Sequence, residues 1–520
     1  MRADETHIMS NISELSSLAA LRILLLGLIS FLPDSLVLGL LLSQVFTEQI
    51  LILERTLLTS RSYRISTTNM DQSVFKVGTK FHKDPSRYDN TGLGPSTHLF
   101  STLDTKQAVA HKSMFTPFFS PEAIRRVEPL IQDFVNKFMD KMHTAASSGN
   151  VVNLSQGFRC LTADVIMNYS FQRPMGALEA SGFEFPLLNA LDGFAHTIQW
   201  RLYFPNAVEA LFQIIQMLPA KMMAGFMEPL RSTQECLSFC RNRILDLKKR
   251  SPSPLSNVPT VFDIMLNPNT SKGQWTPELP TLTSDALMLL LAGTNTTAHT
   301  LVVAVYNLIH SPHLVQRLVA ELRGAMSEPC SQNDWASLEK LPYLRAVVKE
   351  SLRLSYGAPG PLPRVVPPTG AFLAGQHIPP GVSYSTPPRS PTFGALDYRI
   401  ANIIHRADSS ITQQPCLQPR SSRLRKPHPV SSRTLVMRQY KRDGETHGQL
   451  FEGVEDLSGH GLSSLHNSLA YAELYLTLGH LFRRYELELS GVTSADMEWD
   501  DMLVPITRGT LRVHVKESKM

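Results

Sequence analysis

Apolar residues recur along this chain mainly at helical spacing, and the pattern predicts a mainly α protein with a small β region. Residues 104–119 and 121–142 alternate apolar and basic positions with the period of amphipathic helices, and 158–171 reads as a further apolar helix. From Phe185 to Lys249 the chain is crowded with Met, Phe and Leu, with Trp200, Tyr203 and Phe204 in the middle. Such a soft surface suits a pocket roof or a membrane-facing lid, as well as ordinary helical core. A Pro/Ser linker spans 251–259, and a long, strongly apolar helix is expected over 283–310. Proline and glycine then punctuate short strands and tight turns over 361–381.

Periodicity stops at about Arg389. The stretch 389–467 is rich in Ser, Arg, Pro and His, carries basic runs at 420–426 and 433–442, and reads as a segment without a packed core. Order returns at Leu469 with an amphipathic helix running to about Tyr485. At the other end, residues 18–46 are apolar except for Arg22 and Pro33-Asp34, long enough to span a bilayer. Asp34 adds a cost unless it sits near an interface. A membrane anchor over 1–50 is the expectation, with a signal peptide or interfacial helix as alternatives.

The 520 residues, 43% of them hydrophobic, suffice for one large buried core. The net charge of +5 is small and spread out, so it does not indicate a nucleic-acid partner and leaves a membrane surface open. Cys160, Cys236, Cys240, Cys330 and Cys416 show no CxxC spacing, which speaks against a disulfide framework or a zinc site.

Two stretches carry the chemistry. In the long apolar helix, Ala292-Gly293-Thr294-Asn295-Thr296-Thr297 places a helix-weakening glycine before two hydroxyls, which can bond back to the preceding turn or hold a water. Downstream, Glu350-Ser351-Leu352-Arg353 puts an acid and an arginine side by side on a helix whose flanking Leu and Val residues suggest burial. Then follow Pro361-Leu362-Pro363-Arg364 and Gly375-Gln376-His377-Ile378-Pro379-Pro380-Gly381.

In this order the motifs resemble the cytochrome P-450 haem monooxygenases, over about 74–388 and 469–515. The C-terminal LAYAELYLTLxHLFRRYE stretch resembles fungal members acting in secondary metabolism, such as terpenoid oxidation. The resemblance implies a cytochrome P-450-like single large domain, with a helical body over 74–388, an aberrant segment over 389–467, and a C-terminal helix and β hairpin over 468–520. It implies haem (heme, iron protoporphyrin) as cofactor, with NADPH electrons delivered by an NADPH-cytochrome reductase. A lipophilic small molecule would be the substrate, and the body would be cytosolic, held on the endoplasmic reticulum membrane. The groove at Gly293 would hold dioxygen, and Thr296 would relay protons. Asn295 stands where the family has an acid. Arg364, and Lys112 in the His111-Lys112-Ser113 stretch, would meet the haem propionates. Glu350 and Arg353 would form the structural pair, normally completed by an arginine from a PERF-type segment that this chain lacks. The family's proline-rich hinge and first strands are also missing between Phe46 and Val74.

The cysteine loop of the pattern FxxGxRxCxG is missing too. Counting back from Leu469 puts Ser464 at the thiolate position, and a serine oxygen cannot supply a thiolate's electron donation. Cys416 lacks the following glycine turn, while His460 and His466 would give a different iron chemistry. The metal ligand is therefore unassigned. A shifted reading of codons for Leu462 to His466 can give Ser-Arg-His-Cys-Ile, so we expect 389–467 to be translated out of frame. Two readings stay open: a monooxygenase, or a catalytically inactive, haem-free relative.

Overall fold

The structure, a computed structural model, describes Val74, residues 79–89, 97–203, 228–249, 260–328, 331, 333–355, 357, 362–384 and 462–518, apart from 273, 374 and 375. The expected anchor over 1–50, most of the aberrant segment, and Phe204, Cys330, Cys416 and His460 lie outside the described residues.

In chain order the elements begin with β1 (His82–Lys83), α1 (Pro85–Tyr88), α2 (Thr105–Phe115), α3 (Pro121–Ser148), β2 (Val151–Asn153) and α4 (Leu154–Phe171). Next come α5 (Pro186–Tyr203), α6 (Glu228–Lys249), α7 (Val261–Leu266), α8 (Leu279–Ile309), α9 (Pro312–Ala325), α10 (Trp335–Glu339) and α11 (Pro342–Ser355). The β region follows as β3 (Arg364–Val365), β4 (Ala371–Leu373), β5 (Gln376–Ile378) and β6 (Ser383–Tyr384). Last are α12 (Leu462–Arg484), β7 (Tyr485–Leu489), β8 (Trp499–Met502), β9 (Val504–Thr507) and β10 (Arg512–Glu517). The fold is mainly helical with small antiparallel sheets, as the pattern predicts.

Local chemistry sets the helix ends. Asp104, Ser120 and Asn153 cap α2, α3 and α4 by accepting backbone N–H bonds from Gln107, Ala123 and Gln156, which satisfies donors the helix cannot. Pro121 opens α3 where its missing N–H costs nothing, and Gly149 closes it at φ 69°, a left-handed conformation that glycine adopts freely.

Helix α8 is the centre of the core. It is apolar nearly all round, which fits a helix enclosed by protein, and it packs against α4, α6, α11 and α12. By length and composition it could cross a membrane, yet 83% of its most apolar window is buried inside the protein, so it is a core helix here. It starts at Leu279, one turn earlier than the sequence suggests, because Pro280 fits a first helical turn.

Among the described residues the sheets are two three-stranded assemblies, β1-β3-β6 and β2-β10-β7, and two hairpins, β4-β5 and β8-β9. Residues 62–199 and 224–520 form one compact unit, and 1–61 with 200–223 group as another. Of the second, only the last helical residues up to Tyr203 are described.

Candidate functional site

The glycine of the α8 motif has a packing reason. A Cβ on Gly293 would meet Ile166 Cγ1 of α4 at 2.8 Å, closer than real side chains come. Beside it, Thr162 Oγ1 of α4 donates to the Thr294 carbonyl at 3.1 Å, so the two helices touch at this point. The side chain missing from Gly293 would point at α4, and this contact accounts for the glycine.

The neighbouring positions present another face. Ala292 and Thr296, one turn apart, are half-buried in a helix whose adjacent residues are buried. Thr296 Oγ1 donates back to the Ala292 carbonyl at 2.8 Å, the local bond expected of a mid-helix threonine. Thr300 continues the line, donating to the Thr296 carbonyl at 2.9 Å and lying 2.9 Å from Ser355 Oγ at the end of α11. Asn295 is buried, and neither end of its amide has a hydrogen-bond partner. One turn on, His299 Nε2 is likewise unpartnered, and burial lowers the imidazole pKa to about 4, so it stays neutral. Its ring meets Trp499 of β8 edge-on at 6.3 Å. Buried polar atoms without partners are rare in native proteins and mark places where water or a ligand is expected.

Glu350 and Arg353 pair as the spacing predicts. Arg353 donates from Nε to Glu350 Oε2 at 2.7 Å and from Nη2 to Oε1 at 2.5 Å, a bidentate clasp. Their side chains keep 23% and 32% exposure, so the pair is half-buried, in contrast to the burial the flanking Leu and Val residues suggested. Of the flanking apolar residues Val347 and Val348 are buried, whereas Leu352 and Leu354 are themselves half-buried.

The charges of greatest consequence gather at the β1-β3-β6 sheet. Arg364 on β3 is buried and pairs directly across the strands with Lys83 on β1. Directly opposed residues leave an antiparallel pair on the same face, where like charges repel. Both cations lie 5.3 Å from the centroid of the Tyr88 ring, a cation–π contact that offsets part of the repulsion. Lys83 Nζ donates to the carbonyls of Phe100 at 2.7 Å and Thr102 at 3.0 Å. Burial above all, then Arg364, then Lys112, lower its pKa to about 7.

Lys112 stands on α2, next to a buried anchor. His111 Nε2 meets Asp285 Oδ2 of α8 at 2.8 Å, and Asp285 Oδ1 accepts the Leu99 backbone N–H at 2.9 Å. This bond ties α2 to the core helix and fixes the turn that carries Lys112. The two predicted cations thus fall within electrostatic reach of the same lysine, and that lysine is the residue sequence reasoning missed. Its only local signal is the polar run His82-Lys83-Asp84 before a helix-starting proline, and no motif announces its cross-strand position.

The cation set suits a group bearing two carboxylates, and the half-buried Ala292–Thr296 stripe suits the face of a flat apolar ring, so these residues fit the periphery of a porphyrin. An axial ligand is not found among the described residues, which hold no cluster able to bind a metal ion. Cys160, Cys236 and Cys240 are buried on α4 and α6, and burial pushes their thiols above the usual range, to about 12 for Cys160 and Cys236. A thiol held protonated in this way is a poor metal ligand. Ser464 and His466 fall in the first turns of α12, which begins at Leu462, seven residues before the predicted start.

Comparison with known proteins is consistent with this geometry. The sequence profile of the family described as Cytochrome P-450 matches residues 51–389. The Cytochrome P-450 monooxygenase macH of Penicillium terrestre is 26% identical over 441 residues, 84% of this chain and 78% of that protein. The Cytochrome P-450 monooxygenase ankB of Aspergillus thermomutatus is 28% identical over 454 residues, 86% and 78% of the two chains. The monooxygenase aneF of Aspergillus aculeatus is 26% identical, covering 82% and 79%.

Proposed function

This chain belongs to the cytochrome P-450 family, and from that premise we propose that it is a haem-dependent monooxygenase oxidising a lipophilic small molecule in a fungal secondary-metabolite pathway. The observation that carries this reading is that the buried Arg364 of β3 and the half-buried Lys112 of α2 both come within electrostatic reach of Lys83 on β1. Arg364 and Lys112 hold the two propionates, and the Ala292–Thr296 stripe lies along the ring. Haem, when bound, supplies the activation of dioxygen.

The chain's own residues prepare that site. Thr296 holds a hydroxyl against the Ala292 carbonyl, from which it can turn to pass a proton. Asn295 cannot ionise, so any proton arriving there must be handed on by water; its unpartnered amide is free to orient that water. Glu350 and Arg353 fix the end of α11, next to the Ser355 contact with α8. The reductase partner, the NADPH electron supply, and anchoring of the apolar 18–46 segment in the endoplasmic reticulum membrane belong to the same proposal.

A second reading, a catalytically inactive relative, is favoured by the absence of any cysteine after Cys416 and by the serine at position 464. The reduced, carbon-monoxide difference spectrum of the expressed full chain separates the two. A thiolate-type Soret band supports the monooxygenase. A histidine-type band or none supports the inactive relative, and sequencing the transcript across 389–467 then tests the shifted-frame origin of that segment.

A further inference from the structure

Four residues of α8 share one face. Ala292, Asn295, Thr296 and His299 follow the i, i+3, i+4, i+7 spacing that stacks side chains along one side of a helix. On that face Ala292 and Thr296 are half-buried, while Asn295 and His299 keep only 5% and 6% exposure. The buried pair is polar and unpaired: Asn295 Oδ1, Asn295 Nδ2 and His299 Nε2 have no hydrogen-bond partner. The two residues stand one turn apart, within side-chain reach of each other, yet no direct bond joins them. Trp499 of β8 meets the imidazole edge-on at 6.3 Å, an apolar ring that offers Nε2 no acceptor.

We propose that Asn295 and His299 hold one internal water between them, and that His299, through this water, is the positioning residue for the Asn295 amide. Water matches the pair in chemistry because it donates and accepts at once. It accepts from Asn295 Nδ2–H and donates to a bare Nε2, or, in the other tautomer, accepts from Nε2–H and donates to Asn295 Oδ1. Burial keeps the imidazole neutral, so one ring nitrogen always remains an acceptor. Leaving buried donors and acceptors dry costs more than ordering one water, and internal waters sit where a few polar atoms converge. The inference rests on the haem reading and deepens it: there Asn295 orients a water on the face that carries Thr296, and His299 is the residue that keeps that water in place.

The test uses the full chain without haem. A crystal structure should show an ordered water within hydrogen-bond distance of both the Asn295 side chain and His299 Nε2. An empty gap, or a direct bond between the two side chains, overturns the proposal. In chain labelled with nitrogen-15 asparagine, the side-chain signal of Asn295, identified by its loss in Asn295→Leu, should shift in His299→Leu. His299→Gln also lacks the ring but keeps a polar end, and should return most of that shift. A signal unmoved in His299→Leu, or moved equally in His299→Gln, overturns the positioning role. Thermal melts add a third reading. Asn295→Leu and His299→Leu should each lower the midpoint by about 1 °C or more in a chain of this size, and together by less than the sum, because either change releases the same water. Losses that simply add, or a midpoint that rises in Asn295→Leu, overturn the proposal. None of these outcomes involves haem, so they leave the haem reading standing, and that reading fails separately if the wild-type chain does not bind protoporphyrin.

Discussion

Two charged assemblies, one local in sequence and one gathered from distant segments, are opposites. Glu350 and Arg353 form an ion pair on one helix, bidentate and half-buried. The half-buried Lys83 and Lys112 and the buried Arg364, side chains of the same charge type, are brought together from two strands and a helix. The pair joins unlike charges, whereas the cluster gathers like ones. In the proposed reading the cluster meets the ligand's carboxylates, although the pair is the more recognisable motif.

The sharpest way to break that contrast is to remove a cation. Arg364→Gln should weaken protoporphyrin binding by about 100-fold, since a hydrogen bond to a charged group contributes roughly 1.5–3 kcal/mol and 1.4 kcal/mol is tenfold. Fluorescence titration reads this directly, and an unchanged affinity would mean that the cluster does not hold the carboxylates.

Next in size is the core contact beneath the α8 motif. Gly293→Ala should destabilise the fold by about 1–3 kcal/mol by driving a methyl into Ile166, as overpacking generally does. In a double-mutant cycle with Ile166→Ala, itself costly, Gly293→Ala should cost less than it does beside the intact isoleucine, whereas a glycine kept only for ligand access would show no such coupling in thermal melts.

A smaller effect follows from pH. In the unfolded chain Lys83 binds its proton up to 10.5, but in the fold only below about 7. Between those values the unfolded state holds more protons, so stability contributed by this group rises with pH across that window. Urea melts of the ligand-free chain should show the rise, and Lys83→Met should flatten it.

The smallest effect belongs to the Glu350–Arg353 pair. Glu350→Gln should cost less than about 1 kcal/mol in the same melts, the usual worth of a partly exposed ion pair. A cost several times larger would show that the pair supports far more of the fold than its exposure implies.

Much of the helical framework was legible because burial and period coincide. The long run from Leu282 to Leu308 is apolar on every side and folds as the enclosed α8, with only its start displaced by a turn. The Glu350–Arg353 contact was legible because spacing on a helix is local. Burial of the pair was not, because the leucines beside it, Leu352 and Leu354, are themselves only half-buried. Gly293 was legible as a special position, but only the approach of Ile166 from α4 shows which partner requires it. Lys83 was invisible because its meaning arises from pairing with Arg364 across a long sequence separation. The His111–Asp285 bond, which ties α2 to α8, was hidden for the same reason.

The central claim is that the cation cluster is a receptor for the two carboxylates of a porphyrin. The most direct measurement compares the affinity of the full chain for protoporphyrin IX with its affinity for the dimethyl ester, which keeps the ring and removes the charges. Dicarboxylate binding tighter by about 100-fold, corresponding to roughly 2.7 kcal/mol, is the predicted result. Equal affinities would contradict it, leaving Lys83, Lys112 and Arg364 without the role assigned to them.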